Sequence, residues 1–200
     1  MCTGYLADQI ESQFGDGRGW NVTIEYSKEP QPMGTAGAVK LARRYLENTS
    51  DFLVMNGDSF LQGDFQEMIH FHRRQNSLVT IAVVRADNAS RYGTVCIDSN
   101  GRVVSFREKT VNDVPGLINA GVYVFNRAIL DHIPDGHVSL EKDVFPELLN
   151  QTVCALKQSG MFIDIGTPED YSRAQQLYDR LYTAALSKVP HCDMGAVEGQ

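Results

Sequence analysis

Two aspartates, Asp58 and Asp164, each end an apolar segment beside a turn that contains glycine. Asp58 follows the apolar residues 52–55 and the pair Asn56-Gly57, a pattern typical of a buried strand that stops at a turn. Ligands in open α/β sheets gather beyond the carboxyl ends of the strands. If the two strands run in the same direction and lie close together, both carboxylates reach one rim of the sheet. Mg²⁺ suits such a pair because it takes one or two carboxylates together with phosphate oxygens and water.

Both aspartates also have a purely structural interpretation. Asn-Gly is a general turn signal, so Asp58 could simply start a turn. Asp164 could cap the helix that follows it and need no metal. Thr167 is better placed for that cap, because Pro168 directly after it fits the first helical position. The sequence therefore favours a ligand role for Asp164.

A second polar group lies where a helix begins, at Gly34 and Thr35. Gly34 has no Cβ, so the backbone there can approach a flat ligand closely. Thr35 adds a hydroxyl at a helix start, where free N–H groups also point outward. The alternative is an ordinary helix start in which the small residues only pack. The residue types alone leave both interpretations open.

Further polar residues lie beside or within predicted strands. Glu108 and Lys109 follow one strand, and since adjacent strand side chains point to opposite faces, they suit separate tasks better than a mutual salt bridge. An exposed, charged strand end is the alternative. Tyr92-Gly93 and Asn119 would place small or amide-bearing groups beside a polar ligand. Asn119 lies in an apolar strand, where an unpaired amide is costly, which favours a bound partner.

Alternating helices and strands must position these residues. The patterning predicts a hairpin around Ser99-Asn100-Gly101, strands at 22–26, 52–55, 78–84, 117–125, 153–156 and 161–164, and helices at 6–14, 34–46, 65–74, 143–150 and 168–186. This order predicts an α/β fold in which a mixed, mainly parallel sheet is flanked by helices. We expect one domain over residues 1–186 and a loose polar tail at 187–200.

Charge and cysteine usage exclude several classes of protein. The net charge of −7 argues against non-specific nucleic-acid binding. No apolar run approaches the roughly 20 residues of a membrane span. The four cysteines form no C-x-x-C pair, which makes a zinc site or a disulfide framework improbable and suits a reducing cytoplasm. We therefore expect a cytoplasmic protein that binds neither membranes nor nucleic acid.

Six motifs in register carry a resemblance over about residues 4 to 180. They are Glu29-x-x-Pro32-Met33-Gly34-Thr35-Ala36-Gly37-Ala38, Asn56-Gly57-Asp58-Ser59, Arg91-Tyr92-Gly93, Phe106-Arg107-Glu108-Lys109, Ile118-Asn119-Ala120-Gly121-Val122-Tyr123 and Phe162-Ile163-Asp164-Ile165-Gly166-Thr167-Pro168. Together they resemble the sugar-1-phosphate nucleotidyltransferases, in particular the branch that acts on D-glycero-D-manno-heptose 1-phosphate, followed by the mannose-1-phosphate guanylyltransferases. Each motif alone is weak evidence, and the set of six in order is strong.

The resemblance implies a Rossmann-like fold of the nucleotide-diphospho-sugar transferase type and a specific reaction. A sugar 1-phosphate attacks the α-phosphorus of a nucleoside triphosphate, GTP by resemblance, and pyrophosphate is released. The implied roles are nucleotide binding by Gly34, Thr35 and Gly57, sugar binding by Tyr92, Gly93, Glu108 and Asn119, Mg²⁺ binding by Asp58 and Asp164, and catalysis by Asp58, Lys109 and Asp164.

The chain departs from this family at its start. Members carry a Gly-rich loop after a first strand, which cradles the triphosphate, and nothing before Tyr5 resembles it. We therefore expect a fold without its first βα unit, and either an enzyme of low activity or an inactive binding domain. Loss of a strand from a sheet exposes an edge and apolar surface, so we also expect self-association or a partner that covers the gap.

Overall fold

A computed structural model of the protein describes residues 1–107 and 114–177. The strands are β1 (Cys2–Thr3), β2 (Ser27–Lys28), β3 (Asp51–Met55), β4 (Ser59–Leu61), β5 (Val79–Ala86), β6 (Thr94–Ile97), β7 (Val103–Arg107), β8 (Gly116–Asn126), β9 (Val153–Lys157) and β10 (Phe162–Asp164). The α-helices are α1 (Ala7–Phe14), α2 (Gly34–Leu41), α3 (Phe65–Arg74) and α4 (Pro168–Gln176). Glu108, Lys109, the end of the predicted last helix and the tail at 187–200 lie outside the described residues.

The main sheet has six strands and is mixed, as the sequence predicts. Its order is β7-β6-β8-β5-β9, with β3 also paired to β8. The expectation of mainly parallel pairing is wrong for the main sheet, because among its described strands only β5 and β9 pair in parallel. Tyr123, Val124 and Phe125 each pair with both β3 and β5, so the long strand β8 lies between them. Strands β3, β5, β6 and β9 share one direction, and the intervening β8 makes most pairs antiparallel.

A small βαβ unit forms the first part of the chain. Strands β1 and β2 pair in parallel, and helix α1 connects them as the sequence predicts. The predicted strand at 22–26 is wrong, because the pairing residues are Ser27–Lys28. The Ile24 amide instead donates to the Asp16 carbonyl at 2.9 Å, and the Tyr26 hydroxyl donates to the Gly15 carbonyl at 2.7 Å. These bonds fold the segment back on the end of α1.

Capping residues define the other helices. Asp64 accepts from the Glu67 amide at 2.9 Å and begins α3, as predicted. The predicted helix at 143–150 is wrong: the described structure is one π-helical turn at Leu140–Val144, begun by Ser139. Because that turn starts three residues early, Pro146 falls past the first turn, where its missing N–H and its ring stop a helix.

The sheet is buried on both faces, which explains its near-continuous apolar strands. Alternate residues of β5 belong to two separate core clusters, Ile81 and Val83 to one and Ala82 and Val84 to the other. The first cluster includes side chains from α2 and from the segment around Phe145, and the second includes Met68 of α3. None of the helices in the described residues is long and apolar enough to cross a bilayer.

Candidate active site

The fold brings Asp58 and Asp164 together. Strands β4 and β10 pair antiparallel, with Asp164 opposite Ser59, the residue after Asp58. The Ile165 amide donates to the Asp58 carbonyl oxygen at 2.8 Å, which fastens the two turns to each other. An antiparallel pair therefore brings the backbones of the two aspartates together, and not the co-directional strands considered from the sequence.

The surroundings of the two carboxylates suit a hard cation. The Gly166 amide donates to Asp164 Oδ1 at 2.6 Å, and a Cβ on Gly166 would lie 2.9 Å from that oxygen. Asp58 is exposed, and its carboxylate accepts a 3.4 Å hydrogen bond from the Ser59 hydroxyl. Within residues 1–107 and 114–177 neither carboxylate forms an ion pair.

The same residues contain no group of three or more His, Cys, Asp or Glu side chains that could hold a metal. A cation at this pair of aspartates would need further oxygens from a bound ligand or water, which is a donor set that Mg²⁺ accepts. The helix-cap interpretation of Asp164 is wrong. Thr167 caps α4, because its hydroxyl accepts from the Asp170 amide at 3.2 Å.

Gly34 and Thr35 are tied to the segment that precedes the π-helical turn. Gly34 has a φ of +70°, and a Cβ there would lie 2.5 Å from the Val138 carbonyl oxygen. That oxygen also accepts from the Ala36 amide at 2.9 Å, so this N–H is not free for a ligand. The Thr35 hydroxyl donates to Glu141 Oε2 at 3.2 Å and accepts from the Leu140 amide at 2.8 Å. Close packing at Gly34 and hydrogen bonds at Thr35 thus explain why these residue types occur here, although the Thr35 side chain stays exposed.

Gly57 differs from Gly34. It is exposed, and a Cβ built on it would meet nothing within 4 Å. The backbone of Gly57, in the turn that leads to Asp58, is therefore accessible to a ligand.

Asn119 lies at a bulge of β8. The register shifts so that Ile81 pairs with Tyr123 and Val83 with Asn119. The four-residue step from Asn119 to Tyr123 in β8 therefore lies beside the two-residue step from Ile81 to Val83 in β5. It covers about 7 Å of the sheet, whereas four fully extended residues would cover about 13 Å. Gly121 allows this bulge with a φ of +70°, and a Cβ on it would lie 2.9 Å from the side-chain nitrogen Nδ2 of Asn56.

Both polar atoms of the Asn119 amide have partners within the chain. Its Nδ2 donates to the Tyr123 hydroxyl at 2.8 Å, and its Oδ1 accepts from the Gly121 amide at 3.0 Å. The argument that a buried, unpaired Asn119 needs a ligand is therefore wrong. The Tyr123 hydroxyl in turn donates to Glu141 Oε1 at 3.0 Å. Burial first and the nearby Glu141 second raise the pKa of Tyr123 well above its usual value.

Tyr92 and Gly93 lie at the same end of the sheet as Asn119. Thr94, which follows Gly93, pairs with both Ile118 and Arg107. The Tyr92 ring meets the edge of Phe162 with centroids 6.5 Å apart, and burial and Asp164 raise the pKa of Tyr92. The described part of β7 ends at Arg107 beside this group, and Glu108 and Lys109 follow it outside the described residues.

Sequence reasoning missed three residues that hold these candidates in place, Glu141, Arg91 and Asp170. Glu141 binds both Thr35 and Tyr123, and Arg91 binds Asp170 at 2.8 Å between two elements. In the sequence Glu141 lies just before the predicted helix at 143–150, and no role was expected of it. Its partners lie 106 and 18 residues away, and no local pattern marks such contacts.

Comparison with known proteins decides the family. The family described as nucleotidyl transferase matches residues 1–180. The chain belongs to the nucleotidyl transferase family. The resemblance drawn from the six motifs is therefore confirmed at the level of the family.

Relatives of this nucleotidyl transferase are guanylyltransferases. It is 35% identical over 181 residues to the Drosophila melanogaster mannose-1-phosphate guanylyltransferase catalytic subunit beta, an alignment that covers 89% of this chain and 49% of that protein. It is 38% identical over 175 residues to the Mycobacterium tuberculosis mannose-1-phosphate guanylyltransferase, covering 86% and 48%. The chain thus spans about half the length of the curated relatives it matches.

Solved structures of the same type share the fold. The crystal structure of HddC from Yersinia pseudotuberculosis complexed with GMP-PN has a TM-score of 0.78 and 32% identity, and the alignment covers 88% of this chain and 76% of HddC. A thymidylyltransferase-like structure from Bacillus anthracis, at 19% identity and a TM-score of 0.73, supports the fold alone.

Proposed function

We propose that this nucleotidyl transferase chain catalyses nucleotidyl transfer from a nucleoside triphosphate to a sugar 1-phosphate. The register of β4 and β10, which brings Asp58 and Asp164 together at an accessible turn, carries this proposal. A phosphate oxygen of the sugar 1-phosphate attacks the α-phosphorus, the bond between the α- and β-phosphates breaks, and pyrophosphate leaves. No protein nucleophile is required, so the chain positions the reactants and balances their charge.

In this proposal Asp58 and Asp164 hold Mg²⁺, which when bound would neutralise phosphate charge. Gly34, Thr35 and Gly57 contact the nucleotide. Tyr92, Gly93, Glu108 and Asn119 contact the sugar, and Lys109 binds its phosphate. The names of the relatives support GTP as nucleotide and mannose 1-phosphate as acceptor. Heptose 1-phosphate is added as an acceptor on the resemblance of the six motifs alone. Free thiols at Cys2, Cys96 and Cys154 support a cytoplasmic location.

A transferase assay tests the proposal. Purified chain is supplied with GTP, Mg²⁺ and mannose 1-phosphate or heptose 1-phosphate, and the GDP-sugar and pyrophosphate are measured. Asp58→Asn should lower kcat/KM about 100-fold, the scale of losing one electrostatic group at a reacting centre. Asp8→Asn, on exposed α1, is the matched control and should keep full activity. Equal activity of Asp58→Asn and the wild type would refute a metal-binding role for Asp58.

A non-catalytic binding domain is the second candidate. The contacts that occupy the Thr35 hydroxyl and the Ala36 amide favour it, because they leave fewer groups for a triphosphate. Calorimetric titration with GTP and with GDP-mannose, each with and without Mg²⁺, separates the two. Metal-dependent GTP binding that Asp58→Asn abolishes supports the enzyme. Binding of GDP-mannose without metal and without turnover supports the binding domain.

A further inference from the structure

Glu141 accepts hydrogen bonds from three hydroxyl groups. Tyr123 donates to Oε1 at 3.0 Å, and Thr35 and Ser139 donate to Oε2 at 3.2 Å and 3.0 Å. Each hydroxyl has a single proton, and each also accepts from an N–H group, so its proton is directed to Glu141. The two oxygens of the Glu141 carboxyl group have enough acceptor positions for all three hydroxyl groups at once.

The hydrogen bonds continue from Tyr123 to the turn that carries Asp58. Asn119 donates to the Tyr123 hydroxyl at 2.8 Å and accepts from the Gly121 amide at 3.0 Å. The Gly121 carbonyl accepts from the Asn56 amide at 2.8 Å, two residues before Asp58. One unbroken path therefore joins the start of α2, the bulge of β8 and the turn after β3.

Burial makes this path rigid. Tyr123 is fully buried and packs against Phe125 and Phe145, with ring centroids 5.5 Å apart in both cases. Because its hydroxyl is shielded from water, breaking its hydrogen bonds to Asn119 and Glu141 would leave a buried polar group unpaired, which costs free energy. At the two ends Thr35 and Asp58 are exposed and open to ligands.

We propose that Glu141 is a positioning residue that couples nucleotide binding at Thr35 to sugar-phosphate binding at Asn119. It does so by fixing Thr35, and through Tyr123 the Asn119 amide and the Asp58 turn, in one arrangement. A ligand that orders one end of the path lowers the entropy lost when the second ligand binds at the other end. This inference rests on the proposed function, because it takes Thr35 and Asn119 as the two contact points.

Glu141→Gln breaks the path with little change in volume. A glutamine amide has one acceptor oxygen and one NH₂ donor, so it cannot accept at both ends at once. Tyr123→Phe breaks it by another route and keeps the ring in the core. Ser139→Ala is the matched control, since it removes a hydroxyl from the same carboxylate but leaves the path from Thr35 to Tyr123 complete.

Calorimetry measures the coupling. Mannose 1-phosphate is titrated with Mg²⁺ present, with and without a saturating GTP analogue that has a methylene between the α- and β-phosphates and blocks transfer. In the wild type and in Ser139→Ala we expect the analogue to tighten sugar-phosphate binding about tenfold. In Glu141→Gln and Tyr123→Phe we expect less than about twofold tightening, with binding of the analogue alone changed less than about threefold.

The outcomes separate this inference from the proposed function. Wild-type protein that binds both ligands without coupling, or a Tyr123→Phe variant that keeps the tenfold effect, overturns the inference and leaves the function standing. Wild-type protein that binds neither ligand overturns both. A merely structural role predicts a lower melting temperature with an unchanged coupling ratio, and Tyr123→Phe decides the matter if Glu141→Gln does not fold.

Discussion

Gly34 illustrates how a single residue can serve packing at a place where a ligand was expected. Its φ of +70° and the Val138 oxygen 2.5 Å from its virtual Cβ both exclude a larger side chain. Gly34→Ala should therefore destabilise the protein by about 2–4 kcal/mol, from the left-handed conformation and the displaced backbone. Thermal unfolding measures this loss.

Gly57→Ala is the control for that substitution. Gly57 lies outside the left-handed conformation, and an added Cβ meets nothing within 4 Å. We expect a change within about 0.5 kcal/mol, as for ordinary surface substitutions. Equal losses at Gly34 and Gly57 would show that the Val138 contact is not a tight one.

Asp170 makes stability depend on acid pH. Hydrogen bonds from Arg91 first and Thr167 second hold the pKa of this carboxyl below its usual value of 3.8. Because the folded state depresses the pKa, the stabilisation is complete above pH 3.8 and disappears as pH falls through the lowered value. Asp170→Asn should therefore lower the urea midpoint at pH 7, and the difference from the wild type should shrink steadily below about pH 4.

The exposed neighbour Glu169 supplies the comparison for Asp170. Glu169→Gln changes the same charge at the start of α4 without touching the bonds to Arg91 and Thr167. Its urea midpoint should stay close to the wild type at both pH values. A pH-independent effect of Asp170→Asn would mean that packing, and not ionisation, is what the carboxyl contributes.

At the scale of elements, two arginines bind one carboxylate in different ways. Arg91 reaches Asp170 at 2.8 Å from the loop before β6, whereas Arg173 reaches it at 3.1 Å from within α4. Only Arg91 ties the loop that carries Tyr92 to the helix that follows Asp164. We expect Arg91→Ala to weaken mannose 1-phosphate binding about five- to tenfold in calorimetry, equivalent to about 1 kcal/mol, the typical net contribution of one hydrogen bond.

Arg173→Ala removes a cation from the same carboxylate and keeps the loop attached. It should leave sugar-phosphate affinity within about twofold of the wild type, because this ion pair lies within one helix and the buried Asp170 keeps its bonds to Arg91 and Thr167. If both variants bind equally weakly, the charge on Asp170 matters and the attachment of the loop does not.

Elements with strong local signals were predictable from the sequence. The apolar run of β5, the Asp64 and Thr167 caps and the hairpin turn at Asn100-Gly101 all stand where local patterns put them. The pairing of β3 and β5 with β8 was not predictable, because β8 lies far along the chain and no local pattern gives strand order. The sequence predicted that Asp58 and Asp164 lie close together, but it did not predict the antiparallel pairing of β4 and β10 that brings them there. Glu141 was missed, since its role depends on contacts with distant residues.

At the scale of the molecule, the described residues form a main sheet and two separate two-stranded sheets, β4-β10 at the candidate site and β1-β2 at the start of the chain. Strands β1 and β2 pair with each other, and Cys2 approaches α2 through a 3.4 Å contact from its sulfur to the Ala38 carbonyl. Helix α2 thus links the small unit to the core cluster that holds Ala36 and Val39. The start of α2, where Gly34 and Thr35 lie, depends on both parts of the molecule.

Strand β3 leaves one edge of the main sheet open. In the described residues its only partner is β8, and Leu53 and Met55 are 37% and 50% exposed. An unpaired edge with apolar side chains favours association with another chain. We therefore expect the protein to self-associate through β3, with a molar mass in light scattering that rises as the protein concentration is raised from about 1 to 100 µM, a series that covers micromolar dissociation constants.

Met55→Lys tests that expectation, because a lysine on an edge strand opposes pairing between chains. It should shift the protein to the mass of one chain, 22.2 kDa, at every concentration. Tyr171→Lys is the control, since Tyr171 is as exposed as Met55 but lies on helix α4, where there is no strand edge. A wild-type mass that stays at one chain across the range would contradict association through β3, and a loss of association in Tyr171→Lys would place the contact on α4 instead.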